Sequence, residues 1–507
     1  MASKSPWARS RDGPTCARSE TQQERCMSKS RSARSSASRL DVAREASTSV
    51  SAITAALFAL ATATPAYAQD TPSQDAAATA SEERPAQEPE VGVSDAAPAV
   101  VTPVVEDDAA GPGTDFFSFA LLLDARLVAA NGARSWVNRG LGKTRFQGTD
   151  DGDYKFRAVP VEATIAWMPN FTRSLSANIS ASWQRDQEKD VDLNEAFISF
   201  LPRQRGRLGF SARAGLMWPE ISLEHSTGGA WSSVHTITPS AINSWVGEEV
   251  KVIGLEATVH AAMGEHQLAL TGAAFGFNDT SGTLLSFRGW ALHDLKATAF
   301  GHFPLPPLNE FIVHLQEDRT RSIIEIDKRV GFYGRLDWRP PAPVGAALFY
   351  YDNRGDPEAF ETTGQWGWRT RFLNLGINAD LGPSTKLLSQ AMVGSTIMGF
   401  KTNDERWVRT RFRSAFVLVS HQLTQKTAVT GRIEAFGTRE RGSQMSREES
   451  ENGWSWTAAA RHSLSDNLTL FLEALNVRSR RGTRTEFLGL RPFQAQTVFQ
   501  ASLRFTL

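Results

Sequence analysis

From Asp115 to the C terminus, apolar and polar residues alternate with a period of two. No other feature restricts the fold as much. Leu175, Ala177, Ile179, Ala181 and Trp183 are separated by Ser176, Asn178, Ser180 and Ser182. Near the end, Phe499, Ala501, Leu503, Phe505 and Leu507 alternate with Gln500, Ser502, Arg504 and Thr506. Successive side chains of a strand point to opposite faces, so each stretch reads as a strand with one apolar and one polar face. A soluble sandwich alternates too. Two features favour a membrane barrel instead. The stretches reach about ten residues, the length a tilted membrane strand needs. Tryptophans gather near strand ends, with Trp167 and Trp338 beside short turns and Trp183, Trp366, Trp368, Trp407 and Trp454 beside the other ends, as interfacial girdles would place them.

The connections also alternate in kind. Short turn-like pieces, several with proline (Pro169, Pro202, Pro304, Pro340, Pro383), are separated by mostly longer polar segments. Short periplasmic turns and longer external loops are the rule for outer-membrane barrels. The expected fold is all-β, a transmembrane antiparallel barrel of 16–18 strands, with both termini periplasmic. Eighteen strands are favoured. The strands around 284–318 are the least clear, and without that pair the count is sixteen. The closing strand resembles the C-terminal signal read by the barrel assembly machinery, with Leu503, Phe505 and Leu507 as the residues read.

Composition removes several function classes. The 55 Lys+Arg balance the 55 Asp+Glu, which gives no hint of nucleic acid as a partner. The two cysteines, Cys16 and Cys26, lie at the extreme N terminus, so neither a disulfide scaffold nor a cysteine metal site is expected in the body. Residues 1–68 read as an export signal with a long basic n-region. An apolar run from Ala52 to Ala63 precedes Ala66-Tyr67-Ala68, with cleavage expected after Ala68 and Met27 as an alternative start. Residues 69–114 are acidic and rich in Ala and Pro, and are expected to form a disordered periplasmic tail. The barrel is expected over 115–507.

No Gly-x-Ser-x-Gly, His-Glu-x-x-His or phosphate-cradling glycine loop occurs, so no catalytic residue, metal or cofactor is assigned. Glu224, His225 and Ser226 are consecutive, and neighbours on a strand or loop diverge, so they do not read as a triad. The informative groups are charges that alternation places in the lumen. Arg409, Arg411 and Arg413 interleave with Thr410 and Phe412, and the apolar parity continues through Phe416 and Leu418. On that reading the three arginines stack on the pore wall and could draw anions. The same logic turns Arg126, Arg213, Arg335, Arg432 and Arg504 inward, with Asp124, Glu256, Asp337, Glu434 and Glu473. The segment 218–248 carries Trp218, Trp231, Trp245, Glu224, His225 and Glu248, with Glu249 directly after it. Three tryptophans are rare in an exposed loop, so it is expected to fold into the lumen as a constriction.

The stretches Gly215-Leu216-Met217-Trp218-Pro219-Glu220-Ile221-Ser222-Leu223-Glu224-His225 and Ile237-Thr238-Pro239-Ser240-Ala241-Ile242-Asn243-Ser244-Trp245-Val246-Gly247-Glu248-Glu249 resemble outer-membrane porins of the phosphate-selective-porin-like superfamily. The resemblance implies a homotrimeric diffusion channel of sixteen or eighteen strands in the outer membrane of a Gram-negative cell. Its partners would be outer-membrane lipid, lipopolysaccharide and small-solute permeants. Phosphate selectivity does not carry over, because that family's lysine-rich ladder has no match here. The expected function is passive diffusion of small hydrophilic solutes, anions among them, narrowed by the loop. A substrate-specific transporter or a non-transport barrel is the alternative.

Overall fold

The computed structural model describes residues 116–202, 206–226 and 229–507. The expected export signal and acidic tail lie outside them.

Sixteen strands close into one antiparallel barrel. The first seven are β1 (Phe119–Ala130), β2 (Lys155–Trp167), β3 (Leu175–Gln184), β4 (Asp192–Phe200), β5 (Leu208–Met217), β6 (Val252–Met263) and β7 (His266–Gly276). After a long connection come β8 (Gly331–Arg339), β9 (Val344–Asp352), β10 (Arg369–Asp380), β11 (Thr385–Thr402), β12 (Glu405–Thr424) and β13 (Thr427–Glu440). The barrel ends with β14 (Glu451–Ser465), β15 (Leu468–Arg481) and β16 (Phe493–Thr506). Each strand pairs with its sequence neighbour, and β16 returns to β1 in the register Ala125↔Leu503 and Leu123↔Phe505. The seal extends to the last residue: the Leu507 N–H donates to the Leu121 carbonyl at 2.9 Å, and the Leu121 N–H donates back at 3.0 Å.

The favoured count of eighteen is therefore corrected to sixteen. Residues 277–330, where two extra strands were expected, do not cross the wall. They form a short helix α2 (Thr283–Phe287) and a two-stranded ribbon, Phe303–Pro304 with Arg319–Thr320. Leu284, Leu285, Phe287 and Trp290 in this segment are all buried. Such an apolar cluster has no place in an exposed loop, and it packs inside the barrel rather than in the sheet.

The outer face is an apolar band, with Leu127, Leu270, Leu336, Leu373, Leu375, Val393, Ile433, Leu472 and Leu503 all exposed there. On β3 the polar partners Asn178, Ser180 and Ser182 are buried inside. A closed sheet with apolar residues outside and polar residues inside satisfies every backbone group without water, and this is the form in which strands cross a bilayer. The protein is thus an outer-membrane barrel. Trp338 and Trp454 face outward in the expected girdles, and Trp456 joins them, whereas Trp366 and Trp368 turn inward and are buried.

Candidate channel interior and its inward loops

The connection 218–251 leaves β5 at the external end and folds into the barrel, where it forms helix α1 (Ala241–Glu249). Ser240 caps the helix, its hydroxyl accepting from the Asn243 N–H at 3.3 Å. Carboxylates gather at this N terminus, where the unpaired N–H groups and the helix dipole favour negative charge. Glu224 accepts from the Ser240 N–H at 3.0 Å and from the Asn243 side-chain amide at 2.5 Å. Glu434, from the opposite wall, accepts from the Ala241 N–H at 2.7 Å. Glu473 accepts from the Ile237 and Thr238 N–H groups at 2.7 and 2.9 Å.

Arg432 ties the arrangement together. It lies 2.7 Å from Glu224 of the loop and 3.3 Å from Glu434 of its own strand, with all three side chains fully buried. Burying these charges separately would cost several kcal/mol each, so the mutual pairing is what lets the loop stay in the lumen. The tryptophans complete the packing. Trp218 stacks on Trp231 at 4.3 Å, and His225 stacks on Trp231 at 3.7 Å. Trp245 reaches the far wall and packs on Phe412 at 5.2 Å and Phe372 at 5.3 Å.

The two glutamates that end α1 fasten this loop to the connection 277–330. Glu248 forms a fork with Arg288 at 2.6 and 2.7 Å and meets His293 at 2.8 Å. Burial opposes its charge, but Arg288 and His293 outweigh that and hold its carboxyl at about 2. Among the described residues Glu249 has no cationic contact of this kind. It accepts from the Leu284 and Gly282 N–H groups at the start of α2, at 2.9 and 3.1 Å, and from the Trp245 indole at 2.7 Å. Burial pushes its carboxyl up to about 7. Sequence reading missed Arg288 and His293. Their signal was the apolar cluster at 284–290, too hydrophobic for an external loop.

The wall charges expected in the lumen fall into two groups. Arg126 faces inward, 2.7 Å from Asp124 and 2.5 Å from Asp294 of the second inward loop. Arg504 lies 3.3 Å from Asp124 and donates to the Ser233 carbonyl at 2.9 Å. Arg213 pairs with Glu256 at 2.6 Å, and Arg335 pairs with Asp337 at 2.6 Å. Around Arg213 and Arg335 the interior is accessible to solvent, and Glu220 between them keeps 40% of its side chain exposed.

Arg409, Arg411 and Arg413 do not line the lumen. All three are exposed on the outer face, while Val408, Thr410, Phe412, Phe416 and Leu418 of the same strand are buried inside. The Thr410 hydroxyl lies 2.8 Å from that of Ser286 in the second inward loop. The parity is inverted because the interior here holds apolar loop side chains, so the apolar residues of β12 face inward. Arg409 and Arg411 sit in the external half of a 20-residue strand, and Arg413, paired with Val393, stands at the edge of the apolar band. An outward charge there costs far less than the ~2–4 kcal/mol of the midplane. The inner wall then keeps five arginines against five carboxylates from the expected set.

The consecutive Glu224, His225 and Ser226 diverge. Glu224 faces Arg432, His225 Nδ1 lies 2.8 Å from the Ser222 hydroxyl, and the Ser226 hydroxyl approaches the Ser232 carbonyl at 3.4 Å.

No protein-family model and no curated protein matches the chain. Among solved structures it is similar to the outer-membrane channel DcaP of Acinetobacter baumannii, at 8% identity and TM-score 0.47, over 79% of this chain and 100% of that one. It is also similar to an anion-selective porin from Comamonas acidovorans, at 10% identity and TM-score 0.43, over 77% and 99%. OmpT, an outer membrane protein of Vibrio cholerae, matches at 7% identity and TM-score 0.41, over 79% and 100%. At these scores the assignment to the outer membrane rests on the barrel's closure and its outward apolar band, not on the likeness.

Proposed function

We propose that the protein is a passive outer-membrane channel for small hydrophilic solutes, narrowed by the connection 218–251, and that it is not an enzyme. The observation that carries this reading is the charged cluster inside the barrel at Arg213, Glu220 and Arg335, where Glu220 keeps 40% of its side chain exposed to solvent. Rows of paired charge beside an accessible lumen suit hydrated solutes. The earlier basis for anion preference is gone with the three outward arginines, and the balanced inner wall favours weak selectivity. The homotrimer implied by the porin resemblance belongs to this reading, as does insertion through Leu503, Phe505 and Leu507.

The test is conductance in planar bilayers, for the intact barrel and for a variant in which residues 232–246 are replaced by a short Gly-Ser bridge. The intact protein should give small, ohmic steps, and the shortened one steps several-fold larger. Silence of both proteins, with heat-modifiable migration retained, would overturn the channel reading.

A second reading has its own observation. Trp245, Phe372, Phe412, Phe349 and Tyr351 form an apolar cluster inside the barrel. Such a cluster suits a transporter for a larger or more hydrophobic molecule, which would move only when the loops are displaced. Uptake of an apolar solute without measurable ionic conductance would favour it.

A further inference from the structure

The arginines that left the lumen form a patch of their own. The pairing register places Arg371 of β10, Ser395 of β11, Arg411 of β12 and Arg439 of β13 in one row across the outer face. The next row inward runs from Arg413 through Gly437 and Asn452 to Arg480 of β15. Arg409 lies one row further out. With strands ~4.8 Å apart and alternate residues ~7 Å apart, these guanidinium groups share an area a few strands wide.

Three properties set the patch apart from an ordinary charged surface. Arg371, Arg409, Arg411, Arg413, Arg439 and Arg480 are exposed, and among the described residues none of their side chains has an ion pair or hydrogen bond. From Arg409 inward, the outward positions of β10 to β15 beside them carry no Asp or Glu; the nearest of that parity on β12 is Glu405 at its outer tip. Arg441, just beyond the strand, is held below the usual guanidinium range, first by Arg439 and then by Arg411, Arg447 and Arg409, as expected of cations that nothing neutralises.

The patch also has a fixed height. Trp454 of β14 lies in register with Ala435 and Arg478, one row inward of Arg413 and Arg480, and Arg478 rests over its ring at 5.3 Å. Trp454 and Trp456 face outward, and aromatic residues in that position mark the membrane interface. On the same face Leu373 and Val393 stand in Arg413's own row, and Leu375 and Ile433 lie further inward, all exposed. Cations that border an apolar wall match a molecule with an anionic head and hydrocarbon tails.

We propose that the external end of β10 to β15 is a binding site for the phosphate groups of a phosphorylated glycolipid in the outer leaflet, whose acyl chains lie along the apolar wall below. Arginine suits this role because its planar fork binds phosphate through two parallel N–H donors and stays charged at an interface. The apolar wall is what selects a lipid over a free anion, and the site does not depend on whether the barrel conducts.

The experiment uses the full barrel folded in detergent and measures its affinity for diphosphoryl lipid A, dephosphorylated lipid A and inorganic phosphate. The variant R371Q/R411Q/R413Q/R439Q should bind diphosphoryl lipid A at least about tenfold more weakly than the unaltered protein, since one lost charge-assisted contact is worth about a factor of ten. Dephosphorylated lipid A should bind the unaltered protein as weakly as the lipid binds the variant, and millimolar phosphate should not displace the lipid. If the quadruple variant fails to show heat-modifiable migration, R411Q/R413Q replaces it, with the same direction expected. Unchanged lipid affinity in a folded variant would overturn the proposal. So would full competition by phosphate alone, or a shift to monomer with lipid affinity intact, which would make the patch an anion site or a contact between copies.

Discussion

Arg432 and Arg411 stand on neighbouring strands of one sheet and solve opposite problems. Arg432 points inward, has no access to water, and is held between Glu224 and Glu434. Arg411 points outward in the external half of β12 and, among the described residues, has no carboxylate partner. In the interior an arginine is tolerated only if its charge is answered in place, because desolvation is not recovered otherwise. At the rim water and headgroups answer it, so the fold need not. The difference teaches that the side a charged residue faces in a barrel depends on its height as much as on its parity.

Breaking the inner member should cost the most. Arg432→Ala leaves Glu224 and Glu434 buried without a counter-charge, which should destabilise the inward loop by about 3–5 kcal/mol. Hydrogen exchange of the α1 amides should report this as faster opening, with the barrel strands still protected. Equal protection of α1 in the variant would mean that the pair is not what holds the loop.

A second effect of similar origin depends on pH. The folded Glu249 carboxyl titrates near 7, above its unfolded value of 4.5. Proton binding therefore favours the closed loop fully below pH 4.5, and this contribution is lost as pH rises towards 7. The change is of the order of 3 kcal/mol. Glu249→Gln should flatten the loss of α1 protection across that window. A slope that survives the substitution would assign the titration to another group.

The outer member should be nearly silent by the same measures. Arg411→Ala should change stability by less than about 0.5 kcal/mol, as for other surface changes. A larger loss in thermal melts would reveal a partner that the comparison denies it. Smallest of all, Arg409→Ser, Arg411→Ser and Arg413→Ser together should leave the reversal potential in a KCl gradient where it was. A shift towards cations would return the ladder to the pore.

Much of the fold was legible because alternation is a local property. The register of β16, with Phe499, Leu503 and Phe505 outward and Gln500, Ser502 and Arg504 inward, follows directly from the sequence. The inward loop was legible from its tryptophans, which need burial. The second loop was not, since the apolar run at 284–290 resembles a strand when read alone. β12 was misread for a related reason. Phe412 and Phe416 face inward only because loops from elsewhere in the chain fill the interior, and no pattern within 405–424 records that.

The Leu121–Leu507 ladder has a consequence in time. Until β16 meets β1 the sheet has two unsatisfied margins, which hydrocarbon does not accept. Strands can pair one by one, but the bilayer admits the wall only once the circle is complete. Closure is thus the committing step of insertion, and it falls to the two strands of the barrel that lie farthest apart in sequence.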